Sequence, residues 1–218
     1  MSHDLIIFDV DGTLHETKYL MSAFYEKELE IFFKTKNITD PPPKIDKVMS
    51  FVGQPADAFF QNLLPEKFQQ LSPELHKILV KKELEYIKAG KVRLFENVKE
   101  TLEQLKKAGK ILVVYSFAFR DYFENVLKYT GIFDLFAYNI CHGDIENSTK
   151  SQLVKIILKK FPGKKAVVVG DRIDDYQAAI DNKIDFYASN YGFGNKDEFS
   201  NTKYILEEFS DILRLELL

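Results

Sequence analysis

The sequence has one cysteine, no block of like charge and no long apolar run, and each shortage excludes a class of protein. Cys141 cannot close an internal disulfide, and no CxxC or Cys/His spacing suited to zinc occurs, so a reducing compartment is expected. Thirty Lys and Arg stand against 33 Asp and Glu with the signs interspersed, a net charge of −3. That balance gives no electrostatic footprint for nucleic acid or an acidic membrane surface. The longest largely apolar stretch, Ile111 to Phe119, is nine residues between Lys110 and Arg120, against the roughly 20 that a membrane helix needs. The opening residues carry Asp4 before only four consecutive apolar residues and do not read as a signal peptide. A soluble, cytoplasmic protein is expected. Internal repeats and low-complexity tracts are also missing.

What is present is ordinary globular material, 218 residues of which 45% are hydrophobic and 29% charged, enough for one large domain or one domain carrying an insertion. Four short apolar runs read as strands buried on both faces: Leu5 to Val10, Ile111 to Tyr115, Phe136 to Ile140 and Ala166 to Val169. Phe186 to Ser189 is a weaker fifth. Helical patterns lie between them at Val98 to Ala108, closed by Gly109, and at Tyr122 to Thr130, closed by Gly131. Another, Gln152 to Lys160, follows the capping candidates Ser148 and Thr149. Strand alternating with helix implies a three-layer α/β fold with a mostly parallel sheet.

The rhythm breaks between Thr17 and Gly90, where no buried-strand run occurs and helix patterns continue throughout. Lys18 to Lys34 reads as one helix, the three prolines at 41–43 enforce a loop, and Ala56 to Leu64 follows the turn Gly53-Gln54-Pro55. Ser72-Pro73 opens a long helix that ends near Gly90. The expected organisation is therefore a core of residues 1–16 and 91–218, with an all-helical insertion at 17–90.

Asp9-Val10-Asp11-Gly12-Thr13 stands where the first strand runs out. Ligands of open α/β sheets bind beyond the carboxyl ends of strands, so carboxylates there are placed for chemistry. Asp-Gly is equally ordinary turn chemistry, and Asp11 can serve simply to satisfy loop amides. Company shifts the balance. Ser116 follows the second strand, Lys150 comes within ten residues of the third, and Gly170-Asp171-Arg172-Ile173-Asp174-Asp175 follows the fourth. A parallel sheet collects all of these on one edge.

This constellation resembles the haloacid dehalogenase superfamily of hydrolases, and its phosphatases in particular. The DxDGT at Asp9 to Thr13, the hydroxyl at Ser116, the amine at Lys150 and the GDxxxD at Gly170 to Asp175 occur in the family's order and with family-like spacing. The likeness is greatest to the phosphoglycolate phosphatase-like group, whose members include pyrophosphatases, nucleotidases and sugar phosphatases. It implies a Rossmann-like core, a helical cap domain inserted after the first motif, and a Mg²⁺-dependent phosphatase acting on a small phosphorylated metabolite.

The resemblance also implies roles that the chemistry supports. Asp9 is the expected nucleophile that forms an aspartyl-phosphate, and Asp11 the acid and base on either side of it. Gly12 and Thr13 belong to the phosphate-binding turn, with Ser116 and Lys150 contacting the phosphoryl group. A hard-oxygen Mg²⁺ site is expected from Asp9, Asp11 through its carbonyl, and Asp171, with Asp175 supporting it and Asp174 an uncertain neighbour. Lys150 alone would read as a solvated lysine at a helix start; its position after the third strand promotes it.

Other positions carry less. His15 can touch substrate, although a solvated loop histidine is the plainer expectation. His76 reads as a helix-surface residue and His142 as a loop residue without a metal partner. Gln54, in a turn that reaches substrate in relatives, is the candidate specificity residue. Gly192-Phe193-Gly194 matches a loop of the same group but reads as well as a simple turn. Phe117 occupies a position where many relatives carry Asn or Lys, which puts one phosphate or leaving-group contact in doubt.

Two further readings compete with a phosphatase: a phosphomutase of the same fold, and a catalytically silent phosphometabolite-binding protein. Mutase-like relatives acting on glucose phosphates carry His ten residues after the acid, where this chain has Met21. A silent protein has no need of both Asp9 and Asp11. A receiver-type signalling domain would be shorter and lack the insertion. The expected assembly is a monomer or weak homodimer.

Overall fold

The computed structural model describes residues 2–145, 148–194 and 202–217. Its centre is β1 (Leu5–Phe8), flanked by β2 (Ile111–Ser116) on one side and β4 (Ala166–Gly170) on the other. β3 (Tyr138–Cys141) lies outside β2, and β5 (Asp185–Ser189) and β6 (Tyr204–Leu206) continue beyond β4. The order is β3-β2-β1-β4-β5-β6, every pair parallel, with Leu5 in register with both Ile111 and Ala166.

The central strands are apolar on consecutive residues because both faces of the sheet are covered. Ile6, Phe8, Val114 and Val169 join one core, together with Leu102 and Leu105 of α6 (Val98–Lys107) and Phe123 and Val126 of α7 (Arg120–Tyr129). Leu5, Ile7, Val113 and Val168 point the other way, onto Leu153 and Ile157 of α8 (Lys150–Lys160) and Ala178 and Ala179 of α9 (Ile173–Asn182). Period-two alternation thus divides each strand between two cores. Truncating a fully buried member such as Ile7 to Ala removes contacts from the centre of the sheet, at a cost of about 2–5 kcal/mol.

Between β1 and β2 the chain forms α1 (Thr17–Ser22), α2 (Tyr25–Thr35), α3 (Ile45–Met49), α4 (Ala56–Asn62), a 3₁₀ turn (Glu66–Leu71) and α5 (Ser72–Lys88). The single helix expected over Lys18 to Lys34 is two. Phe24 breaks it with φ −152° and packs its ring 5.0 Å from Tyr25 and 4.7 Å from Tyr86. Tertiary packing, with neither Gly nor Pro, makes that break, so no local signal marks it. α9 was hidden for a different reason: its buried face is Asp175, Ala178 and Ala179 while Ile173 and Ile180 are exposed, the reverse of an ordinary amphipathic stripe. β6 and α10 (Ile212–Glu216) are too short to show a period.

Among the described residues no helix is long and apolar enough to cross a membrane.

Candidate active site

The carboxyl end of the sheet gathers the predicted residues. Asp9 follows β1 directly and its amide donates to Val169 O at 2.9 Å, which ties the start of the loop to β4. Val10 O then accepts from the amides of Thr13, Leu14 and His15 at 3.2, 2.9 and 2.8 Å, folding the loop back on itself. Gly12 allows this because its φ is +87° and because a Cβ there would lie 2.2 Å from Asp171 Oδ2.

Lys150 is the first residue of α8. Thr149 caps that helix, accepting from the Gln152 amide at 3.2 Å while the Gln152 side chain accepts from the Thr149 amide at 2.9 Å. The cap fixes where the helix begins, and so aims Lys150 inward. Its Nζ donates to Asp9 Oδ1 at 2.9 Å and to Asp175 Oδ1 at 2.7 Å, and it is only 2% exposed. This is not a solvated lysine. Burial alone would lower its pKa, but the Asp175 and Asp9 carboxylates together hold it above the ordinary value.

Asp9, Asp171 and Asp175 each bring a carboxylate oxygen to within 4.8 Å of the others, all three buried. One ammonium cannot neutralise three such groups. Burial, reinforced by Asp175 and Asp171, pushes Asp9 well above its usual range against the pull of Lys150. Burial and the Asp175 charge push Asp171 up to about 7. Asp171 Oδ2 accepts from the Phe193 amide at 2.7 Å, whereas Oδ1 is buried with no partner among the described residues. Crowded hard-oxygen donors, a charge deficit and an orphaned carboxylate oxygen are what a small divalent cation corrects, so these residues fit Mg²⁺. The Asp11 side chain is not in this cluster. Asp174 is exposed.

Asp11 faces a separate cradle. Its Oδ1 accepts from Thr17 Oγ1 and Tyr122 OH, each at 2.7 Å, and lies 3.3 Å from His15 Nδ1. Burial alone would raise this carboxyl, but His15, Thr17 and Tyr122 together hold it below the usual value. His15 corrects the expectation of a solvated loop residue: it is fully buried, with Nδ1 also 3.1 Å from Thr17 Oγ1 and 3.3 Å from Tyr122 OH. The loop that folds over Val10 O draws the ring inward.

Ser116 ends β2, 2% exposed, with Oγ accepting from the Ala118 amide at 3.0 Å, which leaves its proton for a ligand. Asp9, Asp11, Ser116 and Lys150 all line one cavity of about 90 Å³, which the helical segment walls on its far side through Tyr25, Gln54, Phe59, Phe60 and Glu83. Gln54 is thus a lining residue of the cavity, its Oε1 accepting from Asn62 Nδ2 at 2.8 Å. Thr13 stands apart, its side chain buried and without a partner and absent from the lining. Gly12 contributes through the turn and its packing on Asp171.

His76 is not a plain surface residue; its ring is half-buried, stacked 4.3 Å from Phe60 and 4.8 Å from Phe119. That stack joins α4 and α5 to the loop after β2. His142 lies beside Ser148 and edge-on to Phe117, with no metal partner among the described residues. The Gly192-Phe193-Gly194 turn closes over the acidic cluster. A Cβ on Gly192 would lie 2.4 Å from Asp171 Cβ and from Gly12 O.

Four residues escaped sequence reading. Tyr115 donates to Asp175 from beneath, Tyr122 holds Asp11, and Tyr25 donates to Glu83 Oε1 at 2.6 Å. Glu83 had a signal: the buried face of α5 runs Leu75, Leu79, Glu83, Ile87 at four-residue spacing, so a carboxylate occupies an apolar stripe.

The model of the haloacid dehalogenase-like hydrolase family matches residues 6–189. The chain belongs to that family. It is 26% identical to the pyrophosphatase PpaX of Bacillus velezensis over 215 residues, covering 96% of this chain and 94% of that protein. It is 24% identical to the phosphoglycolate phosphatase of Vibrio parahaemolyticus, with 97% and 95% covered. A solved structure from Haemophilus somnus 129pt, titled a predicted phosphoglycolate phosphatase, agrees with a TM-score of 0.81 at 25% identity over 99% of this chain and 98% of that one. A haloacid dehalogenase-like protein from Streptococcus pneumoniae reaches the same TM-score at 20% identity, covering 98% of each chain, which shows the fold. The phosphoglycolate phosphatase-like grouping read from the motifs stands with these relatives.

Proposed function

We propose that this family member is a Mg²⁺-dependent phosphatase of small phosphorylated metabolites that works through an aspartyl-phosphate on Asp9. The observation that carries this reading is the placement of the Asp9 carboxylate against Lys150 at the floor of a cavity that also holds Asp11. Lys150 engages Oδ1 of Asp9, which leaves Oδ2 as the attacking oxygen. Relatives named for pyrophosphate and for phosphoglycolate support hydrolytic phosphoryl transfer.

Attack on a phosphate dianion is opposed by charge, so the site must neutralise oxygens while holding the nucleophile in line. Asp9 forms an oxygen–phosphorus bond as the ester oxygen departs, and Asp11 gives that oxygen a proton. Water then attacks the aspartyl-phosphate, gives its proton to Asp11, and frees phosphate and Asp9. Asp11 rests ionised in its cradle, and the incoming dianion favours the proton it needs for the first step. Thr17, Tyr122 and His15 fix its direction. Ser116 donates to the phosphoryl oxygens, and Lys150 offsets their charge and restrains Asp9.

Asp9 and Asp171, with the Asp11 carbonyl and with Asp175 in support, would hold the metal. Bound there, Mg²⁺ supplies positive charge beside the phosphoryl group that the three carboxylates and one ammonium lack. Residues 17–90 act as a cap that excludes bulk water from the cavity and selects the leaving group. Cytoplasmic location and a monomeric or weakly dimeric state complete the reading.

The test is phosphate release with Mg²⁺ from p-nitrophenyl phosphate and a metabolite panel. Release that disappears with EDTA and in Asp9→Asn supports the reading, and no release from any ester overturns it.

A further inference from the structure

The wall that faces the phosphate-handling residues is apolar and acidic. Tyr25, Phe59, Phe60 and Phe117 give it aromatic surface, and Glu83 gives it a carboxyl. Among the described lining residues the sole cation is Lys150, which is already shared between Asp9 and Asp175. A leaving group bearing a carboxylate or a second phosphate would meet Glu83 and Asp11 and, among the described lining residues, no cation but Lys150. Such a cavity offers an anionic leaving group little to pair with.

Glu83 itself is incomplete. It is 4% exposed, and its one hydrogen-bond partner among the described residues is Tyr25 OH, which donates to Oε1 at 2.6 Å and so sets the direction of the carboxyl. Burial, with the Asp11 charge adding to it against the Tyr25 bond, pushes Glu83 up to about 8. A buried carboxyl in an apolar stripe costs stability, and the Tyr25 bond that ties α2 to α5 engages only one of its two oxygens. Tyr25 packs edge to face with Phe59 at 6.2 Å and Phe59 with Phe60 at 5.0 Å, and all three rings line the cavity with Glu83. A carboxylate among aromatic faces is the combination that pairs with an ammonium, by charge and by cation–π attraction.

We propose that the leaving group of the substrate carries an ammonium, primary or methylated, seated between Glu83 and the aromatic wall, so that the substrate is the phosphomonoester of an amino alcohol. This rests on the phosphatase reading of the same site. Glu83 with Tyr25 then selects the leaving group, while Asp9, Asp11, Ser116 and Lys150 handle the phosphate. Arrival of the ammonium supplies the counter-charge that Glu83 lacks.

The experiment compares kcat/KM for two matched pairs with Mg²⁺: choline phosphate against its uncharged isostere 3,3-dimethylbutyl phosphate, and ethanolamine phosphate against propyl phosphate. Phosphoglycolate, pyrophosphate and p-nitrophenyl phosphate are run beside them. The wild-type protein is expected to favour the cationic member of at least one pair by about tenfold or more, and Glu83→Gln to bring that ratio toward one. A wild-type ratio near or below one, or faster hydrolysis of phosphoglycolate or pyrophosphate than of both ammonium esters, overturns the inference. A ratio that persists in Glu83→Gln overturns the assignment to Glu83. Should that variant fail to fold, inhibition of wild-type p-nitrophenyl phosphate hydrolysis by the free amino alcohol, matched against its neutral isostere, decides in its place. Equal inhibition by the two overturns the inference. Release from p-nitrophenyl phosphate without cation preference sinks this inference alone, whereas no release from any ester sinks the phosphatase reading and this inference with it.

Discussion

The Tyr122 hydroxyl donates a 2.7 Å hydrogen bond to Oδ1 of Asp11 across 111 residues of sequence. Because that bond favours the ionised carboxyl, losing it raises the Asp11 pKa. A hydrogen bond to a charged group is worth enough to move it by about one pH unit. In Tyr122→Phe the alkaline limb of kcat, where Asp11 in the substrate complex loses the proton it must donate, is expected to move to higher pH. The shift should be plainest with an alkyl phosphate, whose poor leaving group depends on the acid. A pH–rate profile superimposable on wild type would show that Tyr122 does not tune Asp11.

Asp9→Asn keeps the shape of the side chain and can still face Lys150, yet it has no anionic oxygen with which to attack phosphorus. Turnover is expected to fall by about 10³-fold or more, with the circular dichroism spectrum unchanged. Phosphate release near the wild-type rate from purified variant would remove Asp9 from the role of nucleophile.

The shortage of positive charge around Asp9, Asp171 and Asp175 would make the proposed metal binding a stability effect as well as a catalytic one. At a concentration about a hundred times its dissociation constant, a cation that binds only the folded chain adds about 2.7 kcal/mol. For a chain of this size that corresponds to a rise in Tm on the order of 5–10 °C. Mg²⁺ should produce it in wild type and EDTA should reverse it, while Asp171→Asn should lose most of the response. An equal rise in the variant would place the cation elsewhere.

Much of this site was legible because its residues sit at strand ends, where a short local motif and the α/β rule together fix position. Asp9 and Asp11, Ser116, Lys150 and Asp171 with Asp175 all belong to that kind. What escaped lies on long-range geometry. Tyr122 and Tyr25 are single tyrosines on helices, and only the packing of α7 beside the sheet and of α2 against α5 turns their hydroxyls toward Asp11 and Glu83. His15 was misread for the same reason, since nothing local shows that its loop folds inward over Val10 O. The strands were easier than the helices. Burial on both faces writes itself as consecutive apolar residues, whereas α9 buries Asp175 and two alanines and so hides its period.

The division between core and cap can be checked at Gln54 and Lys150. Lys150 contacts Asp9, the proposed nucleophile common to every ester, while Gln54 lines the cavity from the helical segment, the proposed leaving-group side. Lys150→Ala should depress all substrates together, by about 10²–10³-fold. Gln54→Ala should instead change the ranking of substrates across a panel of kcat/KM values. If Lys150→Ala reshuffles the ranking and Gln54→Ala leaves every ratio unchanged, the two roles are reversed.

At the opposite edge of the sheet, where the strands begin, Glu216 of α10 is clasped by four donors. Its Oε1 accepts from Tyr187 OH at 2.8 Å and lies 2.6 Å from His3 Nδ1, while Oε2 accepts from the His3 amide at 2.8 Å and from Lys110 Nζ at 3.0 Å. Burial works to raise this carboxyl, yet the bonds from His3, Tyr187 and Lys110 win and bring it down to about 2, from an ordinary 4.5. A carboxyl depressed on folding gives stability that is fully present above its unfolded pKa and is lost as pH falls through the folded one. The loss attributable to Glu216 should therefore fall between about pH 4.5 and pH 2. Glu216→Gln should destabilise the protein at neutral pH by about 2 kcal/mol, the scale of hydrogen bonds to a charged group. Its deficit relative to wild type should shrink across that window. Denaturant midpoints measured from pH 7 down to pH 2 decide this, and a deficit that stays constant with pH would mean that Glu216 contributes through packing and not through its charge.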